Sequence, residues 1–507
     1  MAASSLTLRS STALAWRTLR SMRTALVLLL LVALAAVAGS LVPQVGVAEA
    51  RIAAMFRDHP LRARIYDQLG LFDVYGSWWF TLLYVLLLVS LGACLLPRTR
   101  ALLRNLRTKP PPARELEGMR HFAEVAIASD PDRAIVDARR VLRRHLFRVN
   151  GANGRPSLAA DKGLAREAGS LLFHWSFFLL LVGIVWGKGT GFSGTAVVVE
   201  GQRWVEAHAN FDGTVREGRF FGEDHSGIQL QVEEFRATYR PTGQPEDFVT
   251  VAKLHEADGS FVRDVEIRVN EPAKIDGVRF YQFGYGWAPV VEVERDGEPI
   301  ASGPIVCTQR TPPEGVSRLQ VPWDCVLKLP SLRPQVGLAF VLWPDSRALY
   351  SLLETGAAMP MLTSFAPVMT YTAYEGDLGL VVPQRSTVLD TSAMREVGRG
   401  AIGAGETLDL GDGVSMRFTD LREYTVLQVS RDRGLWIVLA AAILVLVGLL
   451  PALYTSRRKL WITAEADAGG TVLKVGGFAL QRRSQFEEEF SRLVAELRRS
   501  SSGGVSV

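Results

Sequence analysis

Residues 170–187 read SLLFHWSFFLLLVGIVWG, and the rest of the chain is best interpreted from this stretch. It is apolar and long enough to cross a bilayer as a helix, yet it contains one ionisable residue, His174. An imidazole in hydrocarbon costs several kcal/mol unless it has a partner, so ionisable residues inside membrane segments usually mark functional sites. His174 is therefore the first candidate functional residue of this sequence.

Composition indicates a few membrane spans attached to large water-soluble parts. The 507 residues leave room for roughly three domains, and 48% of them are apolar. The net charge of +5 lies beside the apolar segments, where basic residues set membrane topology, so it does not indicate a nucleic-acid-binding protein. Three cysteines, Cys94, Cys307 and Cys325, exclude a disulfide-rich scaffold and a CxxC redox or zinc site.

Four apolar segments predict four transmembrane helices, residues 24–42, 78–96, 168–187 and 434–454. The first could instead be a signal peptide cleaved near Ala36-Val37-Ala38, but its apolar run is longer than a typical signal core. Trp78 and Trp79 open the second span, and Pro97 followed by arginines is expected to close it.

The charge pattern predicts the topology of these spans. Residues 97–167 contain sixteen Lys or Arg and eight Asp or Glu, which indicates the cytoplasmic side. A basic N-terminus (1–23) and the tail (455–507) are then also cytoplasmic, whereas a short loop (43–77) and a large domain (188–433) lie outside. We expect a multi-pass protein of the plasma membrane with both termini in the cytoplasm.

The water-soluble parts differ in their patterns. In residues 188–433, alternation such as Ile228, Leu230 and Val232 between polar neighbours, with Asp-Gly turns, predicts an antiparallel β-domain, a sandwich or irregular barrel. Residues 97–167 predict a small α/β unit from residue 121 onwards, and the tail predicts a strand–strand–helix segment that packs with residues 121–167.

The predicted fold class is thus a polytopic α-helical membrane protein with four transmembrane helices, a large extracytoplasmic antiparallel β-domain and a small cytoplasmic α+β domain. Cys307 and Cys325 both lie in the external domain, where the compartment is oxidising. They are candidates for a disulfide, although their spacing does not define one.

His174 has three interpretations. It could be a packed histidine that hydrogen-bonds a neighbouring helix. It could be a proton relay, but the apolar cores of the four spans contain no further ionisable residue. It could also be an axial ligand to haem iron. Phe177 and Phe178, at i+3 and i+4, would then form a wall for the porphyrin, although both would suit contact with lipid equally well.

None of the other predicted spans contains a histidine or a methionine. A six-coordinate haem at His174 would therefore need its second axial ligand from another chain. Cys94, near the inner end of its span, is an alternative ligand, but a buried thiol usually serves as a small apolar residue.

No other motif indicates chemistry. The remaining histidines have no HxxxH or HExxH spacing, so surface or turn positions are expected for them. They are His59, His121, His145, His208, His225 and His255. The chain lacks the G-x-S-x-G, Walker and dinucleotide-binding motifs, so whether it is an enzyme stays open.

Several short segments, in order along nearly the whole chain, resemble the ResB (CcsB) family of system II cytochrome c maturation. Near the spans they are residues 39–44 (GSLVPQ), 71–75 (LFDVY) with the WWF that begins at Trp78, 90–98 (SLGACLLPR) and 173–176 (FHWS). In the external domain they are residues 269–272 (VNEP), 280–282 (FYQ) and 285–286 (YG). Residues 375–379 (EGDLG) and 457–461 (RRKLW) resemble actinobacterial members.

The resemblance implies a bacterial cytochrome c assembly subunit. With a ResC/CcsA-type partner it would carry haem b across the membrane and present it for covalent attachment to apocytochrome c. A ResA-type thioredoxin-like protein would be the reductant. His174 would be one axial ligand of the transiently held haem, the partner would supply the other, and this chain would be at most the non-catalytic half of a two-chain haem lyase. The alternative is a membrane-anchored sensor or binding protein with an external β-domain and no cofactor.

Overall fold

The computed structural model describes residues 14, 16–45, 48–108, 115–151, 156–222, 225–240, 243–313, 315–380, 387–467, 470–479 and 481–502. Most of the predicted basic N-terminus (1–23) lies outside this range. The chain forms two compact units: one extends to Val182 and resumes at Ile437, and the other comprises Gly183–Trp436.

The described residues form the following α-helices: α1 (Met22–Leu41), α2 (Glu49–Asp58), α3 (Pro60–Gln68), α4 (Trp78–Arg107), α5 (Pro131–Arg144), α6 (Leu164–Thr190), α7 (Ser346–Thr355), α8 (Leu435–Tyr454) and α9 (Arg483–Ser502). Helices α1, α4, α6 and α8 are long and apolar enough to cross a membrane. They largely coincide with the four segments predicted as spans.

Helix α4 is longer than predicted, because it continues through Pro97 to Arg107. A proline inside a helix removes one backbone donor, here the one that would bond the carbonyl of Ala93. The residues that follow, mainly arginine and leucine with one alanine, are good helix formers and sustain the helix after that loss. The helix therefore continues past Leu96, while the end of the membrane span at Pro97 and its arginines stays a prediction.

The strands of the first part of the chain are β1 (His121–Ile127), β2 (Arg148–Gly151), β3 (Ser157–Lys162), β4 (Phe192–Val199), β5 (Arg203–Val205), β6 (Arg216–Glu217), β7 (Gln229–Tyr239), β8 (Pro245–His255), β9 (Phe261–Arg268), β10 (Ala273–Ile275) and β11 (Val278–Arg295). Those that follow are β12 (Glu298–Pro304), β13 (Thr308–Gln309), β14 (Trp323–Leu329), β15 (Val336–Trp343), β16 (Val368–Gly376), β17 (Met394–Gly403), β18 (Thr407–Gly411), β19 (Val414–Arg431), β20 (Arg458–Asp467) and β21 (Gly470–Ala479).

In the first unit, residues 121–162 and the tail share one antiparallel sheet. Its strand order is β1-β21-β20-β3-β2, so the two tail strands lie between β1 and β3. Helices α5 and α9 cover this sheet, and their apolar residues join a single core that includes Leu142, Ile462 and Phe486. The two segments that the sequence predicted to pack together thus form one small α+β domain.

A buried ion-pair network ties this domain to the ends of α6 and α8. Asp161 on β3 is 4% exposed and accepts hydrogen bonds from Arg148 at 3.0 Å and from Arg457 at 3.2 Å. Arg457, just after α8, also pairs with Glu167 on α6 at 2.7 Å. Because Asp161 bonds two guanidinium groups, its buried charge is compensated. The network holds the N-terminal end of α6 against the sheet.

The described residues of the second unit form three antiparallel sheets. The largest has the order β10-β11-β19-β4-β6, with β12 added beside β11 and β18 beside β19. The others are β13-β14-β15-β16-β17 and β5-β7-β8-β9. The β-rich character predicted for this region is confirmed.

The long strands β11 and β19 contribute to two separate cores. Near one end of this pair, Phe280 and Val429 pack with Leu230 and Leu254 of the four-stranded sheet. Near the other end, Val293 and Phe418 join Phe340 and other residues of the five-stranded sheet. The register of the β11–β19 pair shifts twice, between Gln282 and Gly284 and between Val290 and Val291. The unit is thus two layered β-structures that share one sheet.

Cys307 and Cys325 are joined by a disulfide between the start of the β13 region and β14. Both residues are buried in the core beneath the five-stranded sheet. The hydroxyl of Tyr424 on β19 donates a hydrogen bond to the carbonyl of Cys307 at 2.6 Å. The disulfide therefore lies inside the packed domain and away from its surface.

Candidate functional site

His174 lies on α6, which is held against α8 and α4 by the residues on either side of it. A Cβ placed on Gly448 of α8 would lie 2.5 Å from the backbone nitrogen of Phe173 and 2.8 Å from the carbonyl oxygen of Gly169, so the backbones of α6 and α8 are in close contact here. On the other side, the indole nitrogen of Trp175 donates to the Thr99 hydroxyl of α4 at 3.0 Å. These two contacts fix the position of His174 along α6 relative to the neighbouring helices and the direction in which its side chain points.

The ring of His174 is half-buried, and one of its nitrogens is already engaged. Its Nδ1 lies 2.6 Å from the backbone carbonyl of Ser170, one turn earlier. A carbonyl only accepts, so this contact places the proton of the neutral ring on Nδ1. In the described part of the chain, Nε2 has no hydrogen-bond partner. The imidazole is thus held in the tautomer that leaves the Nε2 lone pair available to a metal.

A cavity of about 470 Å³ lies beside His174 between α1, α4 and α6. Most of its wall is apolar and includes Leu26 and Leu29 from α1 with Leu88 and Leu91 from α4. The volume is in the range of sites for cofactors and other small molecules. The cavity can therefore hold a largely apolar ligand beside the free nitrogen of His174.

One cation also lines this cavity. Arg98 of α4 contributes to the wall, is exposed, and forms no ion pair with the described residues. A haem combines an apolar macrocycle, an iron that takes imidazole ligands, and two carboxylates. The apolar walls, the free Nε2 and the unpaired guanidinium supply a complement to each of these parts, so the residues present fit a haem.

The structure separates the two phenylalanines that were expected to form a wall. Phe177 lines the cavity together with Phe173 and His174. Phe178 does not line it, because it lies on the side of α6 that faces α4. There its ring packs on Trp175 at a centroid distance of 5.2 Å and joins the cluster that includes Leu95. Phe178 supports the helix pair, whereas Phe177, like Phe173, lies at the wall of the cavity.

The chain also places two sulfur atoms at the cavity. Helix α1 begins at Met22, two residues before the predicted span, and Met22 lines the cavity. The inference that no other span contains a histidine or methionine is therefore wrong for α1. Cys94 lines the cavity too, but its thiol donates to the carbonyl of Arg20 at 3.0 Å. Met22 and Cys94 are therefore the two residues of this chain whose sulfur atoms are candidates for a second iron ligand at the cavity.

Two further histidines, expected at the surface or in turns, meet in the β-rich unit. His208 and His225 lie on either side of Glu217, and the atoms they offer are all within 4.8 Å of one another. The three residues come from a 3₁₀ helix, a two-residue strand and a loop, so no regular spacing in the sequence signals their proximity. Arg98 and Met22 were missed for a similar reason, since only the packing of three helices brings them to His174.

The comparisons with known proteins agree on one family. The model of the ResB-like family matches residues 22–491. The "Cytochrome c biogenesis protein CcsB" of Picosynechococcus sp. is 25% identical over 498 residues, which cover 96% of this chain and 93% of that protein. The proteins of the same name from Synechococcus sp. (strain JA-3-3Ab) and Microcystis aeruginosa are 27% and 24% identical over 94% and 95% of this chain and 89% and 95% of their own lengths.

These relatives come from cyanobacteria. The likeness to actinobacterial members that residues 375–379 and 457–461 suggested is therefore not supported. Their similarity to this chain extends over nearly its whole length.

Proposed function

This chain belongs to the ResB-like family and has a role in cytochrome c biogenesis at the membrane, and we propose that it handles haem there through His174. In this proposal the chain and a ResC/CcsA-type partner carry haem b across the membrane. They then present the haem to apocytochrome c for covalent attachment. In this two-chain haem lyase the partner would be the catalytic subunit. The observation that carries the proposal is the imidazole of His174, held by Ser170 with Nε2 free beside an apolar cavity.

Each residue at the cavity has a defined part in this proposal. His174 would bind the haem iron through Nε2, while the Ser170 carbonyl keeps the ring in the correct tautomer. Phe177 would contact the face of the macrocycle, and the guanidinium of Arg98 on α4 would pair with a propionate. The iron chemistry belongs to the haem, and this chain supplies binding, orientation and exclusion of water.

The second axial ligand is assigned to the partner chain. Cys94 already donates its thiol hydrogen to Arg20, and Met22 is 76% exposed at the first turn of α1, where little holds its side chain in place. The same proposal includes a plasma-membrane topology in which both termini are cytoplasmic and the large domain lies outside. A ResA-type reductant would act near that domain. The buried disulfide Cys307–Cys325 is structural in this view, because neither sulfur reaches the surface.

The test is an absorption spectrum of the chain purified together with its partner, with haem quantified per complex. We expect His174→Ala to lower the haem content at least about tenfold, since loss of a direct ligand costs more than loss of an outer-shell contact. Added imidazole should restore part of the haem spectrum. His59→Ala, at an exposed histidine between α2 and α3, is the matched control and should leave haem content unchanged.

Two further variants locate the second ligand. Met22→Leu and Cys94→Ala should both keep the wild-type spectrum if the partner supplies that ligand. A changed spectrum in either would assign the ligand to this chain. Wild-type haem content in an intact His174→Ala complex would refute the role of His174, and a wild-type complex without haem would favour the sensor or binding protein.

A further inference from the structure

Two histidines and a glutamate of the β-rich unit converge beside the edge of the largest sheet. His208 begins the short 3₁₀ helix His208–Asn210, Glu217 ends β6, and His225 lies in the loop before β7. The Oε1 atom of Glu217 lies 2.6 Å from Nδ1 of His208 and 2.9 Å from Nε2 of His225. One oxygen and two imidazole nitrogens therefore face a common point.

A fourth residue fixes the orientation of His225 from behind. Glu206 is fully buried, and one of its carboxylate oxygens accepts a hydrogen bond from Nδ1 of His225. Its other oxygen accepts from the backbone and, at 2.6 Å, from the hydroxyl of Ser226. A histidine that binds a metal through one nitrogen commonly donates the other N–H to a carboxylate. Glu206 provides that support and directs Nε2 toward Glu217.

Apolar rings enclose the inner side of this cluster. Phe221, Phe192 and Phe211 lie 5.0, 5.1 and 5.9 Å from the ring of His225, measured between centroids. The side chain of His225 is 11% exposed, whereas that of His208 is 69% exposed. Apolar rings thus enclose one side of the cluster, and the other side is open to solvent. The open side leaves room for a water molecule or another ligand.

The charge of the cluster favours a cation. Glu206 and Glu217 bring two carboxylates, and within the described residues no lysine or arginine forms an ion pair with either. A divalent ion bound by neutral imidazoles would balance both carboxylates. Glu206 would gain most from this, because it is the more deeply buried of the two carboxylates and a nearby cation lowers the free-energy cost of burying its charge.

We propose that His208, Glu217 and His225 form a binding site for a divalent transition-metal ion, with Zn²⁺ as its probe. Two imidazoles and one carboxylate, with an open fourth position, are a donor set that zinc adopts in proteins. Ligands of a tetrahedral zinc lie about 3.4 Å apart, given bonds of about 2.1 Å. Glu217 would have to withdraw by less than about 1 Å, and it can do so because its side chain is 25% exposed at a strand edge.

The test uses the untagged full chain in detergent after removal of metal by a chelator. We expect one equivalent of Zn²⁺ per chain by elemental analysis and by competition with a chromophoric chelator. Co²⁺ should give the visible absorption of a four-coordinate site. His208→Gln is the main variant, because His208 is the most exposed of the three ligands and its replacement is the least disruptive to folding. It should weaken Zn²⁺ binding at least about tenfold. Glu217→Gln should do the same.

His145→Gln is the matched control. His145 also pairs with a glutamate, Glu496, at 2.7 Å, but it belongs to no group of three candidate ligands in the described chain. It should therefore keep wild-type zinc affinity. Glu206→Gln should weaken binding about 10- to 100-fold while the three ligands remain, as expected for an outer-shell residue. Wild-type chain that binds no zinc, or equal affinity in wild type and His208→Gln, would overturn the proposal. The binding of Zn²⁺ and Co²⁺ is measured without haem, so these results do not depend on the role proposed for His174.

Discussion

At the scale of single residues, the carboxyl of Glu423 on β19 has a strongly raised pKa. Burial, which is the largest cause, and the nearby carboxylates of Glu200 and Glu234 together raise the pKa of its carboxyl to about 8. The folded protein thus keeps the Glu423 proton up to about pH 8, whereas the unfolded chain loses it near the ordinary value of 4.5. Between these values the unfolded state binds fewer protons, so this residue makes stability fall as pH rises.

Replacing Glu423 by glutamine should remove that dependence. The amide stays neutral, so Glu423→Gln should lose less stability than wild type between pH 5 and pH 8. The difference should be on the order of 2 kcal/mol, since one unit of pKa shift corresponds to about 1.4 kcal/mol and part of it is screened. Thermal unfolding followed by tryptophan fluorescence at both pH values measures it. Glu294→Gln, at an exposed position of β11, is the control, and equal pH dependence in wild type and Glu423→Gln would contradict the prediction.

Which site residues could be predicted from the sequence depended on how each one is positioned. His174 was recognisable because a polar residue in an apolar segment carries its own signal. Phe177 followed from helical periodicity, but that periodicity could not distinguish it from Phe178, because the position of α4 decides which of the two faces the cavity. His208 and His225 gave no signal, since Glu206 and Glu217 approach them only in the folded domain.

Among the elements, the crossing of α6 and α8 has the tightest contact near the candidate site. A Cβ on Gly169 would lie 2.6 Å from the carbonyl oxygen of Gly448, and one on Gly448 would lie 2.8 Å from that of Gly169. Small residues at such crossings let helix backbones pack closely in a membrane. Since Phe173 also contacts Gly448, this crossing lies within one residue of His174.

Gly448→Ala should therefore disturb both stability and the site. The added methyl group forces the helices apart, at a cost of on the order of 2 kcal/mol for overpacking. We expect a lower thermal midpoint and partial loss of haem from the complex with the partner. Gly92→Ala on α4 is the control, because its Cβ would meet Phe178 at 3.5 Å, an ordinary contact. If the two alanine variants behave alike, the crossing does not position His174.

The elements that the sequence predicted well are those defined by local patterns. Four apolar segments predicted α1, α4, α6 and α8, and Asp-Gly pairs marked turns such as Asp276-Gly277, where both residues have positive φ. Strand β3 has no such local pattern, because its central residues, Ala159 and Ala160, are too small to give a hydrophobic alternation. In the structure both are buried, and β3 pairs directly with β20.

At the scale of the whole molecule, the pairing of distant segments decides the architecture. Strands β11 and β19 are the longest neighbours in the β-rich unit, although more than a hundred residues separate them. In the α+β domain, β3 pairs with β20 although nearly three hundred residues lie between them. Alternation along one strand shows that it has a buried face, but not which strand lies beside it. The division into three sheets was therefore beyond prediction, whereas the pairing of the tail with residues 121–167 was predictable because neither part could bury its apolar face alone.

That pairing predicts the effect of removing the tail. Deletion of residues 460–507 takes away β21, most of β20 and α9, so β1 loses its partner and the core loses Ile462 and Phe486. Trypsin should then cut the purified chain between residues 121 and 162 at least about tenfold faster, the factor that corresponds to a loss of 1.4 kcal/mol in local stability. Cleavage sites are identified by mass spectrometry of the fragments. A deletion of residues 503–507 alone removes no described strand and serves as the control. Unchanged cleavage after the longer deletion would mean that residues 121–162 fold without the tail, which a sheet with β20 and β21 at its centre does not allow.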